Sequence, residues 1–154
     1  PEDDFARRVE DEVMIGESLL IAPVYEQNAR GRYVYLPEEM LQVRVKCSES
    51  NRMETSVLPA GHHYIPVELD EVVFYVRKGH LLPLAKDGKK IRNVADVDFA
   101  DLRLLAYAPD GASYEYYTDD GETKDYDKPE HFVQITLDAD GNAKSDRATV
   151  KVEG

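Results

Sequence analysis

Apolar positions in this chain recur at two different periods. Near the start, Phe5, Val9 and Val13 fall at i, i+4 and i+8, with Asp3 and Asp4 before them and Gly16 beyond. An acidic cap, one apolar face and a glycine stop predict a helix of about three turns. A helix that short, with so narrow a stripe, needs a surface to lie on. Two surfaces qualify: the sheets that follow in the same chain, or a domain upstream of it.

From Ser18 onward the period drops to two, the signature of strands. Residues 19–24 form a continuous apolar run, as in a strand buried on both faces. Residues 32–36 follow and stop at Pro37, and residues 42–46 alternate, with Val43 and Val45 on one face. Residues 64–67 contain Pro66, which marks an edge or a strand end. Residues 72–76 and 81–84 complete this half. The polar run Lys86-Asp87-Gly88-Lys89-Lys90 predicts a boundary between two units. Beyond it, strands are expected at 102–107, 113–117, 132–137 and 149–152. Turns are expected at Pro109-Asp110-Gly111, Asp119-Asp120-Gly121 and Asp140-Gly141. The expected fold class is all-β: two small antiparallel β-sandwich units, at 17–85 and 86–154, after a short helical segment at 1–16. The second unit has few strands for a closed sandwich.

Composition narrows the range of partners. A length of 154 residues suits one ordinary domain or two small ones. With 42% hydrophobic and 32% charged residues, the chain is expected to fold rather than remain disordered. A net charge of -12 repels phosphates and anionic lipid, so neither nucleic acid nor membrane is expected as a partner. The single cysteine, Cys47, rules out a disulfide within the chain and a thiolate metal cluster. No apolar run reaches membrane-helix length and no secretory signal is visible, so a cytoplasmic location is expected. The chain starts Pro1-Glu2-Asp3 without an initiator Met, which points to a piece of a longer protein.

The candidate chemistry is thin. Asp119, Asp120, Glu122, Asp125 and Asp127 crowd one loop. Glycoside hydrolysis instead needs two carboxyls set ~5–10 Å apart across a scissile bond, one of them buried enough to hold its proton. Asp138, Asp140, Asn142, Lys144 and Asp146 echo a calcium loop, but Ala143 and Thr149 stand where glycine and glutamate are required. His62, His63, His80 and His131 lack zinc spacing, and two adjacent histidines on a strand point to opposite faces. Cys47, at the end of an alternating strand, reads as a small apolar filler rather than a nucleophile. Tyr114, Tyr116, Tyr117 and Tyr126 cluster near the acidic hairpin. They suggest weak oligosaccharide binding, although Tyr114 and Tyr116 share a face that suits a core. No catalytic, cofactor-binding or metal-ligating residue is assigned, and no cofactor is expected.

Four segments, in order, carry a resemblance. They are Val13-Met14-Ile15-Gly16-Glu17-Ser18-Leu19-Leu20-Ile21-Ala22-Pro23-Val24; Arg32-Tyr33-Val34-Tyr35-Leu36-Pro37; Val76-Arg77-Lys78-Gly79-His80-Leu81-Leu82-Pro83-Leu84; and Tyr117-Thr118-Asp119-Asp120-Gly121-Glu122-Thr123. Together they resemble the region that follows the catalytic barrel in family 31 glycoside hydrolases. The likeness covers roughly residues 10 to 137. It departs where Glu38-Glu39-Met40-Leu41 replaces the usual Trp and where His80 replaces a small residue. The resemblance implies proximal and distal β-sandwiches appended to a (β/α)8 barrel, in a parent that hydrolyses α-glucosides with retention. The family's aspartate nucleophile and acid/base both lie on the barrel, and no carboxylate here matches them. On this reading the chain is a non-catalytic appendage, with a carbohydrate-binding module as the alternative. Its partner is the barrel of the same parent, the N-terminal stripe faces that barrel, and an apolar patch left bare would drive self-association.

Overall fold

The computed structural model describes residues 3–49, 52–86, 91–99, 101–118, 122, 124, 127–145 and 149–151. The chain divides into two compact units, residues 1–78 and 79–154. The seam thus falls between Lys78 and Gly79, not in the charged run expected at 86–90, because strand β8 (His80–Ala85) pairs with β9 (Asp101–Tyr107) of the second unit. Residues 87–90 lie outside the described residues.

In the first unit, strands β1 (Val13–Ile15), β2 (Leu19–Ile21), β4 (Met40–Lys46), β5 (Arg52–Leu58) and β7 (Glu71–Arg77) form one antiparallel sheet in the order β1-β2-β7-β4-β5. Strands β3 (Gly31–Leu36) and β6 (Gly61–Pro66) form a separate antiparallel ribbon. Leu20, Ala22, Met40 and Tyr75 from the sheet meet Val34, Leu36 and Ile65 from the ribbon in a single buried core. This is the two-layer arrangement in which each strand's inward side chains interdigitate.

Alternation explains the ribbon. Val34 and Leu36 of β3, with Ile65 of β6, turn inward and are buried. The residues between them, Tyr33, Tyr35, His62 and Tyr64, take the outer face. The sheet is apolar on its other face too, where Leu41, Val76 and Val57 align across three strands and Val13 and Ile15 line its β1 edge. Residues 19–24 were expected as a strand buried on both faces, and the strand within them, β2, lies between β1 and β7.

The expected three-turn helix is reduced to one 3-10 turn, Ala6–Arg8. Its N-cap position is Phe5 and not Asp3 or Asp4, while Asp3 accepts the N–H groups of Phe5 and Ala6 at 2.8 and 3.1 Å. At Val9 the chain turns extended, and Val13 joins a strand opposite Ile21. A β-branched residue does better in that ladder than in a marginal helix.

The second unit holds β10 (Ala112–Tyr117), β11 (Phe132–Leu137) and β12 (Ala143–Ser145) in one antiparallel sheet. A second sheet has the order β13-β9-β8, from β13 (Thr149–Lys151), β9 (Asp101–Tyr107) and β8 (His80–Ala85). β13 runs parallel to β9, a departure from the purely antiparallel pairing expected. Among the described residues of this unit, Leu81, Leu102, Val133 and Ile135 are the buried apolar ones.

Candidate functional site

The outer face of the β3–β6 ribbon carries the most concentrated surface chemistry in the first unit. Cross-strand register sets Tyr35 opposite His62 and Tyr33 opposite Tyr64, giving a row of four rings. The N-terminal segment covers one end of the row. Phe5 lies 4.6 Å from the Tyr35 ring and 4.4 Å from His62, measured between centroids, and the Tyr35 hydroxyl donates to the Asp3 carboxylate at 2.6 Å. That hydrogen bond holds the Asp3 carboxyl below its usual range and pushes the Tyr35 phenol up. Glu12 accepts the Tyr35 N–H at 2.7 Å. Burial is the larger influence on this carboxyl and raises its pKa, against the opposing pull of that hydrogen bond and of Arg32.

At the other end Tyr33 and Tyr64 remain exposed, their rings 5.2 Å apart and tilted by 66°. Beside them opens a depression of about 470 Å3 lined by Asp11, Tyr25, Arg30, Arg32, Tyr33 and Tyr64, among others. Arg32 organises it. The guanidinium donates to the carbonyls of Asp11, Pro23 and Tyr33 and to the Asp11 carboxylate, and sits 5.8 Å from the centre of the Tyr25 ring.

The other candidates are placed elsewhere. Of the acidic loop, Asp119, Asp120 and Asp125 lie outside the described residues, as do Tyr126 and Asp146. Glu122 and Asp127 are exposed. The Asp138 carboxylate closes its own turn, accepting the N–H groups of Asp140 and Asn142 and the Asn142 side-chain amide. Those hydrogen bonds, foremost the Asn142 N–H, lower its pKa and leave a self-contained turn where a calcium loop was considered. No group of three or more His, Cys, Asp or Glu side chains among the described residues is arranged to hold a metal ion.

His62 meets Phe5 edge to face and Tyr35 at a 47° tilt, whereas the neighbouring His63 donates through Nε2 to the Pro59 carbonyl at 2.8 Å, so the pair divides between faces. His80 begins β8, and His131 lies against Tyr117 with Nδ1 3.2 Å from the Thr118 carbonyl. Cys47 is not the apolar filler expected. It is exposed, because β4 ends at Lys46 and the chain turns there. Tyr114 and Tyr116 share the half-buried face of β10. Tyr116 stacks on Phe99 and donates to its carbonyl at 2.8 Å, which uses up the group weighed for sugar contact. The aromatic row of the ribbon went unnoticed in the sequence, although Tyr33, Tyr35, His62 and Tyr64 alternate in register with the buried residues.

The Glu71 carboxylate is also committed: with a side chain 5% exposed, it pairs with Arg44 at 2.8 Å. Glu38 pairs with Arg77.

Residues 1–82 match the model of the glycosyl hydrolase family 31 C-terminal domain. The chain is 31% identical over 134 residues to an alpha-xylosidase of Saccharolobus solfataricus, covering 85% of this chain and 17% of that protein. It is 29% identical over 137 residues to neutral alpha-glucosidase AB of Mus musculus, covering 86% of this chain and 14% of that protein. The chain therefore spans about a sixth of the length of these curated relatives. Among solved structures it is similar in fold to a GH31 alpha-xylosidase from Xanthomonas citri, with a TM-score of 0.65 at 20% identity over 99% of this chain and 16% of that one.

Proposed function

The chain belongs to glycosyl hydrolase family 31, as a C-terminal region of that family, and from this premise we propose that it is a non-catalytic β-domain region serving an α-glycosidase. The observation that carries the reading is the match of residues 1–82 to a C-terminal domain model, in a chain that covers 17% and 14% of an alpha-xylosidase and an alpha-glucosidase. The parent is then a retaining hydrolase of α-glucosides or α-xylosides whose reacting carboxylates stand on its catalytic barrel. The carboxylates described above fit this role. Glu71 and Glu38 neutralise arginines, Asp11 holds Arg32, and Glu12 accepts a backbone N–H.

The structural task is docking. Val13 and Ile15 on the β1 edge stand about half exposed, at 51% and 53%, and Met14 between them at 41%. Covering each of the first two with apolar surface is worth roughly 1 kcal/mol. An edge strand left bare is also a site for association between copies.

The test is an assay of the chain with an aryl α-glucoside. Release no faster than the buffer blank is the expected result, and turnover that survives repurification would overturn the reading. Binding of a hydrophobic dye, reduced in Val13→Asp/Ile15→Asp, is expected of the β1 edge. A chain without affinity for the dye would count against docking there.

A further inference from the structure

Three tyrosines converge on one concavity of the first unit without being buried by it. Tyr33 is 72% exposed, Tyr64 55% and Tyr25 68%, and all three line the depression beside Arg32. A cross-strand aromatic pair stabilises a ribbon through the area it hides, and Tyr33 and Tyr64 hide little. The covered end of the same face shows the contrast, because there Phe5 lies on Tyr35 and His62. The Tyr25 ring faces the Arg32 guanidinium at 5.8 Å, and that guanidinium is itself fixed by four hydrogen bonds.

The rim supplies polar groups of both signs. The side chains of Glu26 and Arg30 line the depression and hold no hydrogen bond or ion pair among the described residues. One offers a carboxylate acceptor and the other a planar fork of donors. Aromatic faces with a few convergent polar groups, in a concavity within the ~300–1,000 Å3 of small-molecule sites, define a ligand of matching chemistry. A pyranose ring is apolar across its C–H face, which stacks on a tyrosine, and carries hydroxyls around its edge that both donate and accept. An anionic ligand would meet Asp11 and Glu26 on a chain of net charge -12.

Tyr33 and Tyr64 form an edge-to-face pair at 66° to one another, a stepped surface and not one flat platform. A β-1,4-glucan presents a flat ribbon and asks for coplanar rings, which this pair does not supply.

We infer that the depression formed by Tyr25, Tyr33 and Tyr64, rimmed by Glu26 and Arg30, binds a short α-linked gluco-oligosaccharide. The linkage class rests in part on the reading of the parent as an α-glycosidase; the site itself rests on the geometry. The experiment is a 1H–15N NMR titration of the chain with isomaltotriose and maltotriose up to about 20 mM, and with cellotriose as the β-linked control. Saturable shifts confined to residues 23–33 and 61–66 are expected, with a weaker response to cellotriose. Tyr25→Ala, a loop change outside the ribbon's strand pairing, and Tyr33→Ala/Tyr64→Ala should each weaken binding at least about tenfold, while Tyr64→Phe retains it. Absence of shifts with both α-linked sugars, or binding that survives both alanine variants, would overturn the site. Equal binding of cellotriose would overturn the linkage class. None of these results reports on hydrolysis, so the α-glycosidase reading stands or falls separately on the aryl glucoside assay.

Discussion

Arg32 on β3 donates to the Asp11 carboxylate at 2.6 Å and, through its other terminal nitrogen, to the Asp11 carbonyl at 3.0 Å. One side chain thus ties the N-terminal segment to the ribbon from both ends of a single residue. Its own exposure is 10%, and it also satisfies the carbonyls of Pro23 and Tyr33. Arg32→Met keeps the aliphatic stem and leaves those acceptors without their donor. The expected loss is about 2–3 kcal/mol in urea unfolding. Arg32→Lys should recover only part, since an ammonium is a point charge and cannot span the fork. A Met variant as stable as the parent would show that the clamp contributes nothing.

The neighbouring Glu12 gives a pH signature. Burial raises the pKa of this carboxyl above its ordinary 4.5. A raised folded pKa means that the native state binds the proton more tightly than the unfolded chain does. The stability it contributes is fully present below the unfolded pKa and is lost as pH rises through the folded one. Glu12→Gln keeps an oxygen for the Tyr35 N–H and carries no charge to desolvate. Relative to the parent, the variant should therefore gain stability as pH climbs from about 4 to neutrality. Urea midpoints measured across that interval provide the check, and a gap that does not vary with pH contradicts the assignment.

Gly31 opens β3 opposite Pro66 of β6. Its φ is +155°, and a Cβ there would lie 2.8 Å from Pro66 Cα and closer still to the Ile65 carbonyl oxygen. Both neighbours are backbone and cannot swing aside. Gly31→Ala should cost at least about 2 kcal/mol. Gly61, at the other end of the ribbon, has nothing within 4 Å of its Cβ position but also has a positive φ of +127°. Gly61→Ala is therefore expected to cost strain alone, and less. A reversed order in thermal melts would mean that the close approach at Gly31 is misplaced.

How far the sequence reveals this molecule depends on where burial falls. β4 and β7 were legible because Val43, Val45, Val72, Val73, Phe74, Tyr75 and Val76 are β-branched or aromatic residues in short runs, with Val43, Tyr75 and Val76 buried. β5 was not, because Arg52–Leu58 lies at the sheet edge and most of its side chains face solvent. β12, three residues with no fully buried side chain, offered no more signal. The N-terminal segment misled for a different reason. Phe5, Val9 and Val13 satisfy helical spacing by coincidence, since Phe5 packs on the ribbon while Val13 pairs with Ile21. The aromatic row was hidden by its origin in two strands. Tyr33 and Tyr64 lie 31 residues apart in sequence, and only the β3–β6 register brings them together. Period alone cannot supply that pairing.

That register can itself be tested with two residues three apart on β3. Leu36 faces inward, is fully buried, and shares its core with Met40 and Tyr75. Tyr33 faces outward and is 72% exposed. Truncating Leu36 to Ala removes buried apolar volume and leaves a cavity that the two-layer core closes only in part, a loss of about 2–5 kcal/mol. Truncating Tyr33 to Ala forfeits one cross-strand ring contact on the surface, worth about 1 kcal/mol or less. A slip of one residue in the β3–β6 pairing would send every inward side chain of the strand outward and reverse the two costs. The ratio of the two losses, read from equilibrium urea unfolding, therefore reports on the pairing and not only on the residues. A Leu36→Ala loss no larger than that of Tyr33→Ala would mean that β3 is in the wrong register, and the aromatic face would have to be rebuilt with it.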